Sequence, residues 1–474
     1  MGYTEKVVVI GAGLSGLACA YRLQRLGLAP LLLEASDRPG GVIASIQRNG
    51  FLFETGPQFP RFPASVWQLV RELQLESEFL HGDPKAQRLI FHNGQLHPAP
   101  FSPTGLITTN LVSLRSKLRV LGEPLRHTQP PAHEESLAEF VERKFGSEIL
   151  DYLVDPFIST IFFGDAHKMG MHGAFPALVE WERDAGSLLR GALRARARNR
   201  NRQKSSLKVT DSLPTLGSFR QGMATLPQRL AEALGSRLRS QAPVLSLTQL
   251  PPGDSFAAQW QIALTDSEQI LAQHLVLAIP AYAAAQLLGQ ALPPLASHLA
   301  AIEYAPICVV CSAYDRAHIT DPLHGFGFMV PRREGLSTIC TFWNSSLFPN
   351  RAPESAAVIT SFAARKIADR FDNFSEDDCG KIVHAENAKI LGITAPPLDR
   401  VVWKEPRALP QYNVGHARRV AEISAILGTT PSLHVIGNFL RGRSIGDCVE
   451  LAEAVARKVH SQLTGTNIQS PVGL

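Results

Sequence analysis

Cysteine is scarce in this chain, and long apolar runs are missing. The six cysteines among 474 residues have no framework spacing, which favours a reducing compartment. No segment reaches the roughly 20 consecutive apolar residues of a membrane-spanning helix. The most apolar stretch, from Leu275, is interrupted by Pro280, Gln286 and Pro293. The sequence therefore predicts neither a disulfide-rich domain nor a transmembrane protein.

The chain also has only a small excess of positive over negative charge. Lys and Arg total 47 against 42 Asp and Glu, a net charge of +5, which is too small an excess to predict nucleic-acid binding. This mild excess suits an anionic substrate or an anionic membrane surface. With 45% hydrophobic and 19% charged residues, the bulk of the chain is not disordered. The length predicts about two to four domains.

The amino-terminal segment combines an apolar strand, a glycine-rich turn and a helix. Residues 6–10 are predicted to be a buried strand, 15–26 a helix, and 30–33 a second parallel strand. The turn between them reads Gly11-Ala12-Gly13-Leu14-Ser15-Gly16, the G-x-G-x-x-G pattern. Its glycines permit a tight turn, close approach to a pyrophosphate and close helix packing. This context favours a dinucleotide site over a signal peptide, whose apolar region the same residues imitate.

Glu34 and Ala35 follow the second strand, about 20 residues after the glycines as the fingerprint requires. The Glu34 carboxylate can accept hydrogen bonds from a ribose diol and disfavours a 2′-phosphate. FAD and NAD share this fingerprint, so it does not choose between them.

Segments beyond the fingerprint resemble flavoproteins. Asp37-Arg38-Pro39-Gly40-Gly41 resembles the Arg-x-Gly-Gly extension of glutathione-reductase-like proteins, and Gly56-Pro57-Gln58-Phe59 resembles the segment that they place beside the isoalloxazine ring. His434 to Gly437, followed by Gly442 to Gly446, resembles their closing flavin motif, with Gly437, Arg443, Ser444 and Ile445 as candidate contacts. The cofactor that this resemblance implies is FAD.

Four internal segments resemble the oxygen-dependent protoporphyrinogen oxidase family, which includes bacterial coproporphyrinogen III oxidases. They are Gln87 to Phe91, Asp155 to Asp165, Gly325 to Pro331 and Pro410 to His416. The resemblance implies an α/β protein: a Rossmann-like, glutathione-reductase-like FAD-binding domain, an interleaved α+β substrate domain with an antiparallel sheet, and a helical domain. The implied segments are 1–85, 211–285 and 401–474 for FAD, 86–210 for a mostly helical, membrane-facing part, and 286–400 for the substrate.

The resemblance also implies residue roles. Arg88 matches an arginine that meets a substrate propionate, and Phe326, Gly327 and Met329 match residues that line the macrocycle pocket. Val244 matches the residue beside the adenine, and Trp403 is a candidate flavin contact. The flavin N5 carries the chemistry, so no catalytic side chain and no metal is expected. Two departures are Gln58, where animal enzymes have arginine, and Arg441 to Ile445, which lacks the usual run.

The implied activity is oxidation of protoporphyrinogen IX or coproporphyrinogen III by molecular oxygen in haem biosynthesis, with release of hydrogen peroxide. The sequence leaves the choice of porphyrinogen open. Alternatives are a carotenoid-desaturase-like flavoenzyme and a flavin- or porphyrin-binding protein without turnover. We expect a cytoplasmic protein; contact with the inner face of the membrane and homodimer formation are left open.

Three local features complete the predictions. Residues 65–80 are predicted to be an amphipathic helix from their apolar spacing. The basic run from Arg190 to Lys208 is predicted to be a solvated, mobile loop, or else a contact with anionic lipid headgroups. Cys308 and Cys311 lie on a predicted strand, where residues three apart point to opposite faces, so they do not form a metal site.

Overall fold

The computed structural model describes residues 3–83, 85–203, 215–251, 258–364, 367, 372–442 and 444–465. Its strands are β1 Tyr3–Ile10, β2 Leu31–Leu33, β3 Ser45–Arg48, β4 Phe51–Glu54, β5 Arg61–Phe62, β6 Phe79–His81, β7 Arg88–His92, β8 Gln95–Pro98, β9 Thr215–Phe219, β10 Leu238–Arg239, β11 Val244–Gln249, β12 Trp260–Leu264, β13 Gln269–Leu277, β14 Tyr304–Asp315, β15 Gly327–Met329, β16 Thr338–Phe342, β17 Ala356–Ala363, β18 Asp399–Pro410 and β19 Leu433–Val435.

The helices lie between these strands in α/β order, with a helix-rich stretch from 103 to 203. They are α1 Leu14–Arg25, α2 Ala64–Glu72, α3 Pro103–Thr108, α4 Leu114–Leu121, α5 Leu137–Lys144, α6 Ser147–Ile149, α7 Asp155–Phe162, α8 Met171–Ala174, α9 Pro176–Ala185, α10 Leu188–Gln203, α11 Thr225–Leu234, α12 Ala281–Leu288, α13 Pro293–Ala300, α14 Asn344–Leu347, α15 Glu376–Leu391, α16 His416–Gly428 and α17 Ile445–Thr464.

The first of two seven-stranded sheets joins the two ends of the chain. Its strand order is β10-β2-β1-β13-β12-β11, and β19 also pairs with β13. The parallel pairs of β1 with β2 and β13 confirm the predicted parallel unit. Both faces of β1 are covered: Val7 and Val9 pack into a core with α1 and α17, while Val8 and Ile10 pack into another with α12 and α13. Burial on both faces explains why β1 is apolar at successive positions.

The second sheet has the order β18-β14-β17-β16-β15-β7-β8. Its neighbours are antiparallel except β15 and β7, which run parallel. Cys311 packs in the core on the side of α5 and α7, and Cys308 packs on the opposite side against α15. The prediction that these two cysteines face opposite ways is therefore confirmed. β7 and β8 come from the segment predicted to be mostly helical, and β18 comes almost wholly from the last segment predicted to bind FAD, but all three strands belong to this second sheet. The helices α12 and α13 pack on the first sheet.

Two local predictions are wrong. The helix expected over 65–80 ends at Glu72, because Gln74 adopts a positive φ of 56° and the following residues form β6, which pairs with β9. The basic run is not a loop in its described part: it continues α10 as far as Gln203, while Lys204 to Lys208 lie outside the described residues. Leu, Ala, Arg and Gln are good helix formers, which explains the helix.

Within the described ranges, no helix combines the length and apolar character needed to cross a bilayer.

Candidate functional site

The glycine-rich turn leaves an open space in front of α1. Gly11 has a φ of 100°, and a Cβ there would lie 2.7 Å from the Ala278 carbonyl oxygen. A Cβ on Gly16 would overlap the Gly11 carbonyl oxygen, so this glycine is needed for packing. At Gly13, by contrast, a Cβ would have no protein atom within 4 Å. Gly13 is also the N-cap of α1 and supplies no side-chain cap. The turn thus presents helix amides and their positive dipole to free space, as an anion site requires.

The second glycine segment, with Gly40 and Gly41, borders the same space. The Gly40 N–H donates to the Ala12 carbonyl oxygen at 2.8 Å, and Gly40 pairs with Gly13 in an isolated parallel bridge. A Cβ on Gly41 would lie 3.3 Å from the Gly13 Cα. The Arg38 guanidinium donates to the Gly41 carbonyl oxygen at 3.0 Å and fixes the loop. The structure therefore brings together the two segments that the sequence predicted to surround a pyrophosphate.

Glu34 ties the turn to its neighbours. One carboxylate oxygen accepts the Ala12 N–H at 2.7 Å, and the other accepts the N–H and hydroxyl of Ser36 at 2.9 and 2.7 Å. Its carbonyl oxygen accepts the Ala242 N–H at 2.8 Å, which places the start of β11 at Val244 nearby. Ala35 is exposed beside it. Glu34 thus holds together the glycine turn, the loop after β2 and the segment before β11.

The carboxyl-terminal motif packs against α1. Ser444 caps α17 through a reciprocal capping box with Asp447, and α17 packs along α1. Ile445 is buried in their shared core, so its backbone rather than its side chain can face a ligand. The Tyr412 hydroxyl donates to the carbonyl oxygen of Asn438, next to Gly437, at 2.5 Å. Arg443 lies outside the described residues.

A cavity of about 350 Å³ lies where residues 55–60 meet the second sheet. Of the predicted flavin-side residues, Gly56, Pro57, Gln58, Phe59 and Trp403 line it. The Gln58 amide donates to the Glu54 and Gly56 carbonyl oxygens at 2.8 Å and accepts from the Asn344 amide at 2.6 Å. Gln58 is therefore fully engaged in holding its own loop.

Sequence reasoning missed much of this lining. The additional residues come from distant elements, namely Val42, Ile161, Phe163, Phe342, Phe362 and Leu409. Their apolar character alone gives no signal, because apolar residues on strands and helices are usually core.

The predicted substrate residues Arg88, Phe326, Gly327 and Met329 are not among the residues that line this cavity. Phe326 packs edge-on against Phe59, with ring centroids 4.2 Å apart, and the Arg88 guanidinium carbon lies 4.3 Å from the Phe326 centroid. Gly327 has a φ of 130° and pairs with Arg88 across the sheet. Met329 packs into the core beneath the sheet.

Arg88 is half-buried, and burial lowers the pKa of its guanidinium, with the charge of Arg61 adding to the effect. Within the described part of the chain, no carboxylate lies within ion-pair distance of Arg88. Arg88 is therefore a partly desolvated cation that is separated from the cavity by Phe326 and the lining residue Phe59.

Comparison with known proteins assigns the chain to a family. The family model for flavin-containing amine oxidoreductases matches residues 14–460. The chain belongs to this family. The family indicates a flavin cofactor.

Two curated relatives of this flavin oxidoreductase align along most of their length. Protoporphyrinogen oxidase 1 of Arabidopsis thaliana chloroplasts is 31% identical over 479 residues, which cover 97% of this chain and 88% of that protein. Coproporphyrinogen III oxidase of Bacillus subtilis is 27% identical over 466 residues, covering 95% and 97%. A crystal structure from Exiguobacterium sp. has the same fold, with a TM-score of 0.79 at 24% identity over 97% of this chain and 99% of that one.

Proposed function

We propose that this protein is an FAD-dependent porphyrinogen oxidase that uses molecular oxygen and releases hydrogen peroxide. The observation that carries the proposal is the apolar cavity lined by residues 55–60 of the flavin-side segment, with Arg88 close by on Phe326, which packs against the lining residue Phe59. A porphyrinogen is a flat, apolar macrocycle with carboxylates on its edge, and this arrangement complements it. The names of the two curated relatives support the same class of substrate.

FAD, rather than a mononucleotide flavin, is supported by the position of the glycine turn. The free space at Gly13 fits a pyrophosphate, and Glu34 fits a ribose diol. The cavity that would take the ring begins at Gly56, on a separate segment. Flavin released by denaturation and separated by chromatography should be FAD, and release of FMN alone would contradict this part of the proposal.

The chain's task in the reaction is binding and orientation. A bound flavin supplies a two-electron acceptor for the substrate, and molecular oxygen takes up these electrons as peroxide. The described residues that line the cavity carry no ionisable side chain. Phe342, Phe362 and Trp403 exclude water from it, and Arg88, which packs on Phe326 behind the lining residue Phe59, is the cation proposed to pair with a carboxylate on the macrocycle edge.

The test is steady-state turnover. Purified holoenzyme mixed with protoporphyrinogen or coproporphyrinogen in air should produce fluorescent porphyrin and peroxide together. Full aromatisation removes three electron pairs, so about three peroxides should appear per porphyrin. Binding of either porphyrinogen without accelerated porphyrin formation would contradict this proposal and would indicate a binding protein without turnover.

We further propose that the helical region contacts an anionic membrane surface. Leu114, Leu118 and Leu121 form a stripe along α4 and are 70%, 60% and 48% exposed. Leu125, just beyond, is 90% exposed, and Leu189 and Leu193 continue the apolar surface on α10. Glu123 joins the two helices, because its carboxylate accepts the Leu188 N–H at 2.6 Å. Such a cluster of exposed apolar residues is unusual for a protein surface that faces only water.

The charges around this apolar surface favour lipid as its partner. Arg115 and Arg126 are exposed near α4, and Arg194, Arg196 and Arg198 are exposed on α10. Apolar residues surrounded by cations are typical of a surface that inserts shallowly among anionic headgroups. Each engaged cation contributes about 1 kcal/mol near the membrane and less at high salt.

Vesicle sedimentation tests this contact. The protein should sediment with phosphatidylglycerol vesicles more than with phosphatidylcholine vesicles, and less as salt rises. Leu118→Asp should weaken binding, whereas Leu398→Asp, at an equally exposed leucine (60%) before β18, should not. Equal sedimentation with neutral vesicles, or none with either kind, would contradict the proposal.

A further inference from the structure

Phe163 carries an aromatic ring at a backbone position that favours glycine. It directly follows α7 with a φ of 48° and a ψ of 21°, in the left-handed region that bulky side chains rarely adopt. Gly164, which could adopt this conformation without strain, stands one position later. Strained residues of this kind persist where the surrounding structure requires them, and they are concentrated at ligand sites.

The Phe163 ring completes an aromatic wall of the apolar cavity. It stacks on Phe362, with ring centroids 5.3 Å apart and ring planes 26° apart. Phe362 packs edge-on against Phe342 at 5.7 Å, and Phe342 packs edge-on against Phe59 at 4.8 Å. All four residues line the cavity. The wall therefore runs from the flavin-side loop at Phe59 to the end of α7 at Phe163.

A second cavity, of about 240 Å³, lies on the other side of Phe163. Among the described residues, Phe163 is the only one that lines both cavities. The two cavities adjoin along β14, where Ile307 lines the first and Pro306 the second. We call the second cavity the charged crevice, because its lining includes Asp165, Lys168, Glu303 and Arg332. The last three of these are exposed, so the Phe163 ring separates the apolar cavity from a crevice that reaches solvent.

The charged crevice is a place where a carboxylate can keep its hydration. The Asn413 amide there donates to the Glu303 carboxylate at 3.0 Å, and Arg332 forms an ion pair with Asp155 at 3.6 Å. The Lys168 ammonium forms no ion pair among the residues that the structure describes. A carboxylate that reached this crevice would therefore meet water and an unpaired cation.

The apolar cavity offers the opposite environment. Its polar side chains are few: the Gln58 amide holds its own loop, and the Thr160 hydroxyl donates to the Pro156 carbonyl oxygen at 2.8 Å. The remaining walls are largely aliphatic and aromatic. An ionised carboxylate placed there would lose its hydration without gaining a donor, which is strongly unfavourable.

We infer that Phe163 is a specificity-determining residue: its ring closes the apolar cavity against the charged crevice and disfavours macrocycles with an ionised group on the enclosed edge. The inference rests on the proposed function and concerns the substrate range of the same site. Protoporphyrinogen IX has both propionates on one edge and can enclose its apolar edge. Coproporphyrinogen III has propionates on both edges, so one of them must meet the Phe163 wall. Removal of the ring would let that carboxylate reach the charged crevice.

A comparison of the two porphyrinogens tests the role of Phe163. Phe163→Gly should raise the ratio of kcat/KM for coproporphyrinogen to kcat/KM for protoporphyrinogen by about tenfold or more. Glycine adopts a positive φ without strain, so the backbone should be retained. Phe163→Asn, whose side chain also tolerates this conformation, should change the ratio in the same direction. Ser267→Gly, at an exposed turn with a φ of 68°, is the matched control for a new glycine and should leave the ratio unchanged.

The possible outcomes separate the inference from the proposed function. An unchanged ratio in a folded, flavin-loaded Phe163→Gly or Phe163→Asn protein would overturn the inference. Coproporphyrinogen tetramethyl ester has a similar size but no charge, so Phe163→Gly should improve its oxidation much less. An equal improvement with the ester would overturn exclusion by charge. If the wild-type enzyme oxidises neither porphyrinogen, the proposed function itself fails.

Discussion

Gly13 gives the sharpest test of the nucleotide site, because its substitution affects a ligand without affecting the protein. Its φ of −68° and ψ of 175° are accessible to any residue, and a Cβ there would have no protein atom within 4 Å. The methyl group of Gly13→Ala would instead occupy the space in which the pyrophosphate approaches the α1 amides.

The substitution Gly13→Ala is expected to change the free energy of unfolding much less than the free energy of flavin binding. Replacing glycine where the backbone already suits alanine stabilises a protein by about 0.4–1 kcal/mol, and the poorer N-cap offsets a similar amount. The stability of the flavin-free protein should therefore change by less than about 1 kcal/mol. Loss of even one hydrogen bond to the pyrophosphate costs about 1.5–3 kcal/mol. Flavin affinity should therefore fall roughly 10- to 150-fold or more.

The assay compares bound-flavin absorbance per polypeptide with the melting temperature of the flavin-free protein. Gly428→Ala is a matched control, since a Cβ there also meets no atom within 4 Å, but on α16 away from the glycine turn. It should keep its flavin. Gly16→Ala should instead disturb the turn itself, because its Cβ would overlap the Gly11 carbonyl oxygen. A Gly13→Ala protein with full flavin content would refute the assignment of this space to the pyrophosphate.

Three further predictions concern single side chains. Glu34→Ala should weaken FAD binding by about 1.5–3 kcal/mol, measured by titration of the flavin-free protein, and excess FAD should restore turnover; no recovery would make Glu34 purely structural. Arg88→Lys should recover only part of the kcat/KM that Arg88→Ala loses, because a point charge cannot make the paired hydrogen bonds of a guanidinium. Burial lowers the pKa of His274 to about 4 and that of His434 to about 3, so the unfolded chain takes up protons below about pH 6.5 that the folded protein does not. The melting temperature should therefore fall as pH is lowered from about 6.5 towards 4, and His434→Phe should flatten this decline in calorimetry; an unchanged slope would contradict the assignment.

The strand, glycine turn and helix at the amino terminus could be predicted from the sequence because their geometry is local. Gly11 to Gly16 are contiguous, and the requirement for glycine arises within the turn and its immediate neighbours. The position of Glu34 could be predicted because it depends only on the lengths of α1 and β2. The tether from Glu34 to Ala12, however, is a contact that no local pattern records.

The cavity could not be predicted in the same way, because its walls come from segments far apart in sequence. Ile161, Phe342 and Phe362 lie on α7, β16 and β17, and only the tertiary fold brings them together. Met329 illustrates the difficulty: it was predicted to line the macrocycle pocket, yet it packs into the core beneath the second sheet.

The most direct test of the proposed activity is a single turnover without oxygen. Holoenzyme mixed anaerobically with protoporphyrinogen should lose its flavin absorbance as the substrate is oxidised, and admission of oxygen should restore that absorbance with release of peroxide. If protoporphyrinogen and coproporphyrinogen both leave the flavin oxidised while an added chemical reductant bleaches it, the protein binds a working flavin but does not oxidise porphyrinogens.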